Sequence, residues 1–213
     1  MVIGATGLQS LVDFVDAVET KKRARVKPEW QPLNLEDLKP GKYLACDQSL
    51  AATGLVMLWV TDEHKVYLQG AGRISTSQGT SGWEMVLQSA LSLEGLMAAW
   101  IRANEPEYTS YWAVHEAPPV GGGRFLKPEL SLVSALAFRM AVGPMVSMLP
   151  MVRRQDHAKL ICGNGNASKT EHHAALKELF PQIVGSDMVT NEATRDALSV
   201  GLMAAHRLGG QIK

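Results

Sequence analysis

A chain of 213 residues, 46% of them hydrophobic, is long enough to bury one sizeable core plus a small appendage, so one main domain is expected. Its 21 basic and 21 acidic residues cancel, so any polyanionic partner must be met by a local patch and not by the field of the whole molecule. Two cysteines in separate apolar segments, Cys46 and Cys162, exclude a disulfide scaffold and read as small buried hydrophobes of a reducing compartment. With Asp13 and Asp16 near the start, no basic-then-apolar leader and no apolar run of the roughly 18 residues that span a bilayer, the expectation is a soluble, cytoplasmic protein without a membrane partner.

Residues 1–41 read as an extension ahead of a main domain at 42–213. Leu8, Leu11, Val12, Val15 and Val18 recur at near-helical spacing, and Lys21, Lys22, Arg23, Arg25 and Lys27 form a basic run suited to a solvated linker or to phosphate. Pro28, Pro32 and Pro40 then punctuate a loop. Strands are predicted over 42–47, 55–60 and 66–74, and connections this short force antiparallel neighbours. A helix follows over 82–104, its apolar face built from Met85, Val86, Leu93, Leu96, Met97 and Trp100. A strand over 111–116 is broken by Pro118, Pro119 and three glycines at 121–123. Beyond it the pattern predicts a helix over 128–142, a strand over 145–152 and a Gly-Asn-Gly turn at 163–165. Helices over 168–179, with Ser168 as N-cap, and over 191–208 complete the chain. The sum is an α/β fold with a mixed five-stranded sheet, three antiparallel strands and then parallel ones, and helices on both faces. The helices at 82–104 and 128–142 offer more apolar surface than one sheet face needs, which points to a homodimer contact.

Acidic residues sit where an apolar pattern has no ordinary use for them. Asp47 ends the run Tyr43-Leu44-Ala45-Cys46, and an unpaired charge there costs several kcal/mol. Such a group is protonated, paired, capping a turn or holding a cation. The small residues Ser49 to Gly54 let the backbone turn back into the next strand. Glu116 ends a later strand, and Glu192 and Asp196 lie one turn apart on the last helix, where like charges repel unless a cation stands between them. Two strand ends and one helix can meet at one sheet edge, and four acids there would suit one or two Mg²⁺ or Mn²⁺ ions. Asp196 is flanked by Ala197, Leu198, Val200 and Leu202, which predicts a buried setting; Glu192 is also explained by the helix dipole alone. His115 reads as a bystander, His172 and His173 as exposed helix residues, and no Cys/His zinc pattern or local Ser-His-Asp order exists.

The strand ending in Asp47 with Ser49 and Thr53-Gly54 behind it, the strand ending in Glu116, the segment Gly163-Asn164-Gly165-Asn166-Ala167-Ser168-Lys169, and Asp196-Ala197-Leu198 together resemble the RuvC Holliday-junction resolvases. The resemblance spans about residues 42–208 and implies a ribonuclease H-like fold. It further implies a Mg²⁺-dependent endonuclease, with Mn²⁺ as substitute, that nicks branched DNA such as four-way junctions as a homodimer. Residue by residue it makes Asp47, Glu116 and Asp196 metal-binding carboxylates and Lys169 a basic group beside the scissile phosphate. Arg154 and Gln155 match an Arg-Gln pair upstream of the glycine-rich turn, and Lys159 corresponds loosely to a second lysine. The family places Asp or His three residues before its final Asp; Ala193 stands there, and Glu192 is the expected substitute. An aromatic wedge after the strand glutamate has only a displaced counterpart in Phe125, beside Arg124. Arg124, Phe125, Arg154, Lys159, Lys169 and Ser49 are thus the expected DNA contacts.

Three rivals remain at this stage. Asp47 with Thr53-Gly54 also suits the phosphate hairpin of the sugar kinase and actin-like ATPases, but those duplicate the domain and 213 residues hold one copy. A related nuclease could act on other DNA structures, and a non-catalytic junction binder would explain Ala193.

Overall fold

The structure is a computed structural model and describes residues 33–49, 52–75, 83–105, 110–118, 128–144, 146–184, 186 and 189–210, without the side chains of 83–85 and 128–131. The expected N-terminal helix and basic run lie outside the described residues. β1 (Gly41–Asp47) is buried on both faces from Tyr43 to Cys46, which is why its sequence reads as an unbroken apolar run and not as an alternation. It pairs antiparallel with β2 (Thr53–Val60), Leu44 facing Met57 and Asp47 facing Gly54. β2 pairs antiparallel with β3 (Val66–Ile74), with a bulge at Met57/Leu58. On its other side β1 runs parallel to β4 (Trp112–His115), and β4 runs parallel to β5 (Ser147–Met148). The five-stranded sheet has the order β3-β2-β1-β4-β5, the mixed architecture expected from the sequence.

Period-2 alternation sorts the strands into two cores. Tyr43, Ala45, Val56, Leu58 and Val114 face α6 (Glu192–Gly210), α3 (Arg154–Cys162) and α4 (Lys169–Leu179), packing on Leu198, Leu202, Ile161 and Leu176. Leu44, Cys46, Leu55, Met57 and Ala113 face α1 (Trp83–Asn104) and α2 (Pro128–Val142), packing on Leu93, Met97, Ile101 and Phe138. Short α5 (Pro181–Val184) adds Val184 to the first core. Gly201 lets α6 lie flat on the sheet, because a Cβ there would run into the side chains of Leu58 and Ala45.

Described residues ahead of β1 join the core: Leu33 and Leu38 are buried, and Lys39 N–H donates to Ala205 O at 3.0 Å. Three expectations change. The strand expected over 145–152 shrinks to two residues, since Pro150 interrupts it; contact with β4 resumes only where Glu116 bridges Val152. α3 was not expected: its nine residues are mostly polar, with His157, Ala158 and Ile161 as its buried side, and Gly163 at φ 71° ends it. Cys162 is half-buried, whereas Cys46 is buried as expected, and both are free thiols. The predicted cap of α4 holds, Ser168 and Glu171 forming a reciprocal capping box.

Candidate active site

Parallel pairing of Cys46 with His115 sets Asp47 beside Glu116 at the carboxyl ends of adjacent strands, on the face that α6 covers. The Glu116 backbone is held from three sides. Its N–H donates to Cys46 O at 3.0 Å, its carbonyl accepts from the Gln48 side-chain amide and from His115 Nδ1, the latter at 2.8 Å, and it bridges Val152. The turn after Asp47 is closed by Thr53, fully buried, whose hydroxyl donates to Ser49 O at 2.6 Å and accepts from Ser49 N–H at 3.2 Å. Gly54 then passes the first turn of α6 so closely that a Cβ would strike the Ala193 carbonyl. This close approach brings α6, and Asp196 with it, onto the strand ends.

Burial pushes the Asp47 carboxyl well above its ordinary 3.8, and a side-chain hydrogen bond with Glu116 and the charges of Glu116, Asp196 and Glu192 push it the same way. The Asp47 carboxyl is thus hydrogen-bonded to Glu116 and resists losing its proton. Burial also raises Asp196, but the hydrogen bond and charge of His172, with His157 and Arg154, outweigh it and hold that carboxyl below its usual range. His172 is buried, 3% exposed, with Nδ1 at 3.3 Å from Asp196 Oδ1 and Nε2 at 3.0 Å from Ser199 Oγ. The expectation of an exposed His172 is thus overturned: it shares the inward stripe of α4 with Leu176. Glu192, half-exposed in the first turn of α6, is ion-paired to Lys169 at the start of α4. Glu192 and Asp196 thus each have their own partner among the side chains, Lys169 and His172.

Among the described residues no three His, Cys, Asp or Glu side chains are arranged to hold a metal ion. The chemistry of the donor set nonetheless fits one, because the charges of Glu116, Asp196 and Glu192 act on buried Asp47 at one sheet edge, with Lys169 on Glu192 and His172 on Asp196 offsetting part of that repulsion. Arg154, exposed at the start of α3, acts on Asp196, while Lys159 is five residues on and turned about 140° around the same helix. Arg124 and Phe125 lie outside the described residues. The sequence reading missed Gln48, His157, His172 and Ser199.

Searches with the sequence find no matching family model and no matching curated protein. Comparison of the fold with solved structures does find relatives. Thermus thermophilus RuvC superposes with a TM-score of 0.61 at 14% identity over 79% of this chain and 96% of that one. The fold is that of RuvC. T. thermophilus RuvC in complex with a Holliday junction substrate gives a TM-score of 0.60 at 14% identity, over 80% of this chain and 96% of RuvC. The yeast mitochondrial Holliday junction resolvase gives 0.52 at 12% identity, over 83% and 85%. The RuvC-like core is therefore nearly complete in this chain, and the carboxyl ends of its β1 and β4 carry Asp47 and Glu116.

Proposed function

We propose that this protein is a structure-selective endonuclease that nicks branched DNA by metal-dependent phosphodiester hydrolysis. The observation that carries the reading is the buried Asp47 carboxyl, hydrogen-bonded to Glu116 and acted on by Asp196, at adjacent strand ends of a RuvC-like fold whose solved relatives include a RuvC–junction complex. Asp47, Glu116 and Asp196, with Glu192, would hold Mg²⁺ or Mn²⁺, which in a two-ion arrangement supplies an activated water and stabilises the leaving oxygen. The chain's own groups do the rest. Lys169 moves between Glu192 and the scissile phosphate, where it neutralises developing charge. Arg154, exposed beside the acids, meets the neighbouring backbone phosphate. Ser49, in the turn after Asp47, and Lys159 contact the strand further out.

Paired nicking requires two sites related by a dyad. Support for a homodimer comes from α1 and α2, where Leu87 and Leu91, and Leu132, Leu136 and Met140, lie four residues apart and are all more than half exposed. A synthetic four-way junction incubated with and without Mg²⁺ tests the reading: paired nicks only with the ion are expected, and linear duplex cut equally well would overturn junction selectivity. The arrangement of acids with separate partners and Ala193 favour one rival, a non-catalytic junction binder. Titration calorimetry showing junction binding without any Mg²⁺ or Mn²⁺ binding would establish that rival.

A further inference from the structure

Beside the four acids stands a buried side chain that no part of the site yet uses. His157, on the inward side of α3, is 1% exposed, and neither ring nitrogen has a hydrogen-bond partner. Its Nε2 is 3.8 Å from Glu116 Oε1, too far for a hydrogen bond, and its ring lies 5.3 Å from the ring of His172. His172 is engaged at both nitrogens, by Asp196 and by Ser199. His157 therefore stands between Glu116 on the strand end and the Asp196–His172 pair of α6 and α4, with a free nitrogen on the acid side. Leaving a buried polar atom unpaired is costly, so such an atom is kept where something else engages it. The third buried imidazole, His115, is different: its Nδ1 donates to the Glu116 carbonyl and its ring meets the edge of Phe138 in the opposite core.

We propose that His157 is a metal ligand, its Nε2 joining Glu116 and Asp196 in binding a divalent cation, with His172 as a positioning residue that orients Asp196. This rests on the metal-dependent reading and goes beyond it, because it makes the site mixed nitrogen and oxygen and not purely oxygen. Mg²⁺ holds to oxygen donors and keeps its waters, whereas Mn²⁺ accepts an imidazole among its oxygen ligands more readily, so His157 biases the site toward Mn²⁺ over Mg²⁺.

Electron spin-echo spectroscopy of the full chain loaded with Mn²⁺ reads the ligand directly. Strong modulation from a bound ¹⁴N is expected in the wild type, lost in His157→Gln and kept in His172→Gln. Calorimetry should show Mn²⁺ affinity falling at least about 10-fold in His157→Gln, with a smaller change for Mg²⁺. Should His157→Gln fail to fold, the wild type labelled with ¹⁵N-histidine replaces it: exchange of the ¹⁴N signal for the ¹⁵N one identifies histidine, and His172→Gln removes the other candidate. Mn²⁺ bound without nitrogen modulation, or modulation lost only in His172→Gln, overturns the assignment and leaves the nuclease reading standing. No Mn²⁺ bound and no junction cleaved overturns the nuclease reading itself.

Discussion

The sheet's two faces differ in what they bury. Against α1 and α2 the strands meet Leu93, Met97, Ile101 and Phe138, and the helices turn further leucines outward. Against α3, α4 and α6 they meet an aliphatic core whose upper end gives way to Asp47, Glu116, Asp196 and two imidazoles tilted 52° to each other. The first face supplies apolar burial and leaves leucines exposed on its helices. The second tolerates mutually repelling acids because the same cooperative fold holds them together.

Breaking the apolar face should cost most. Phe138→Ala removes a fully buried ring and should destabilise by about 3–5 kcal/mol in thermal or urea unfolding, while leaving metal affinity of the folded protein unchanged. On the acidic face Asp47→Asn should lower junction cleavage by at least about 10²–10³-fold in a gel assay while junction binding persists; retained cleavage would remove Asp47 from the chemistry. Lys169→Ala should slow cleavage by about 10–100-fold with a smaller loss of binding.

A subtler contrast lies in acid–base behaviour. Because the folded chain keeps the Asp47 proton well above the ordinary 3.8, at which the unfolded chain releases it, the folded state binds more protons over that interval. Stability in the presence of a chelator should therefore fall as pH rises from 3.8 through the raised value and then level off. Asp47→Asn should remove this contribution, so that calorimetry finds a raised Tm near neutral pH and a flatter dependence of Tm on pH than in the wild type. The gentlest test returns to the first face. Leu136→Lys, at a position 56% exposed, should change folding stability by no more than about 0.5 kcal/mol yet shift sedimentation toward the monomer.

Much of this was legible in advance where local pattern and neighbour geometry coincide. The apolar run of β1 and the short connections specify a meander, and the strand ends at Asp47 and Glu116 announce themselves because a carboxylate closes each apolar run. The Ser168 cap was legible for the same reason, being a contact between residues three apart. His172 was misread because its neighbours along the chain are polar, whereas its partners, Asp196 and Ser199, come from another helix. His157 was passed over because the helix that turns it inward has only nine residues and little apolar signal.

The amino-acid order alone determined the strands, the two long apolar helices and which acids end their elements, since these follow from periodicity and from the cost of burying charge. Only the tertiary structure decided that Glu192 pairs with Lys169, that Asp47 is buried against Glu116, and that His157 lies unpartnered between two acids. The reason is physical: a carboxylate's partner is chosen by distances of a few ångströms between segments far apart in the chain, and those distances are set by how closely α6 can approach the sheet past Gly54 and Gly201.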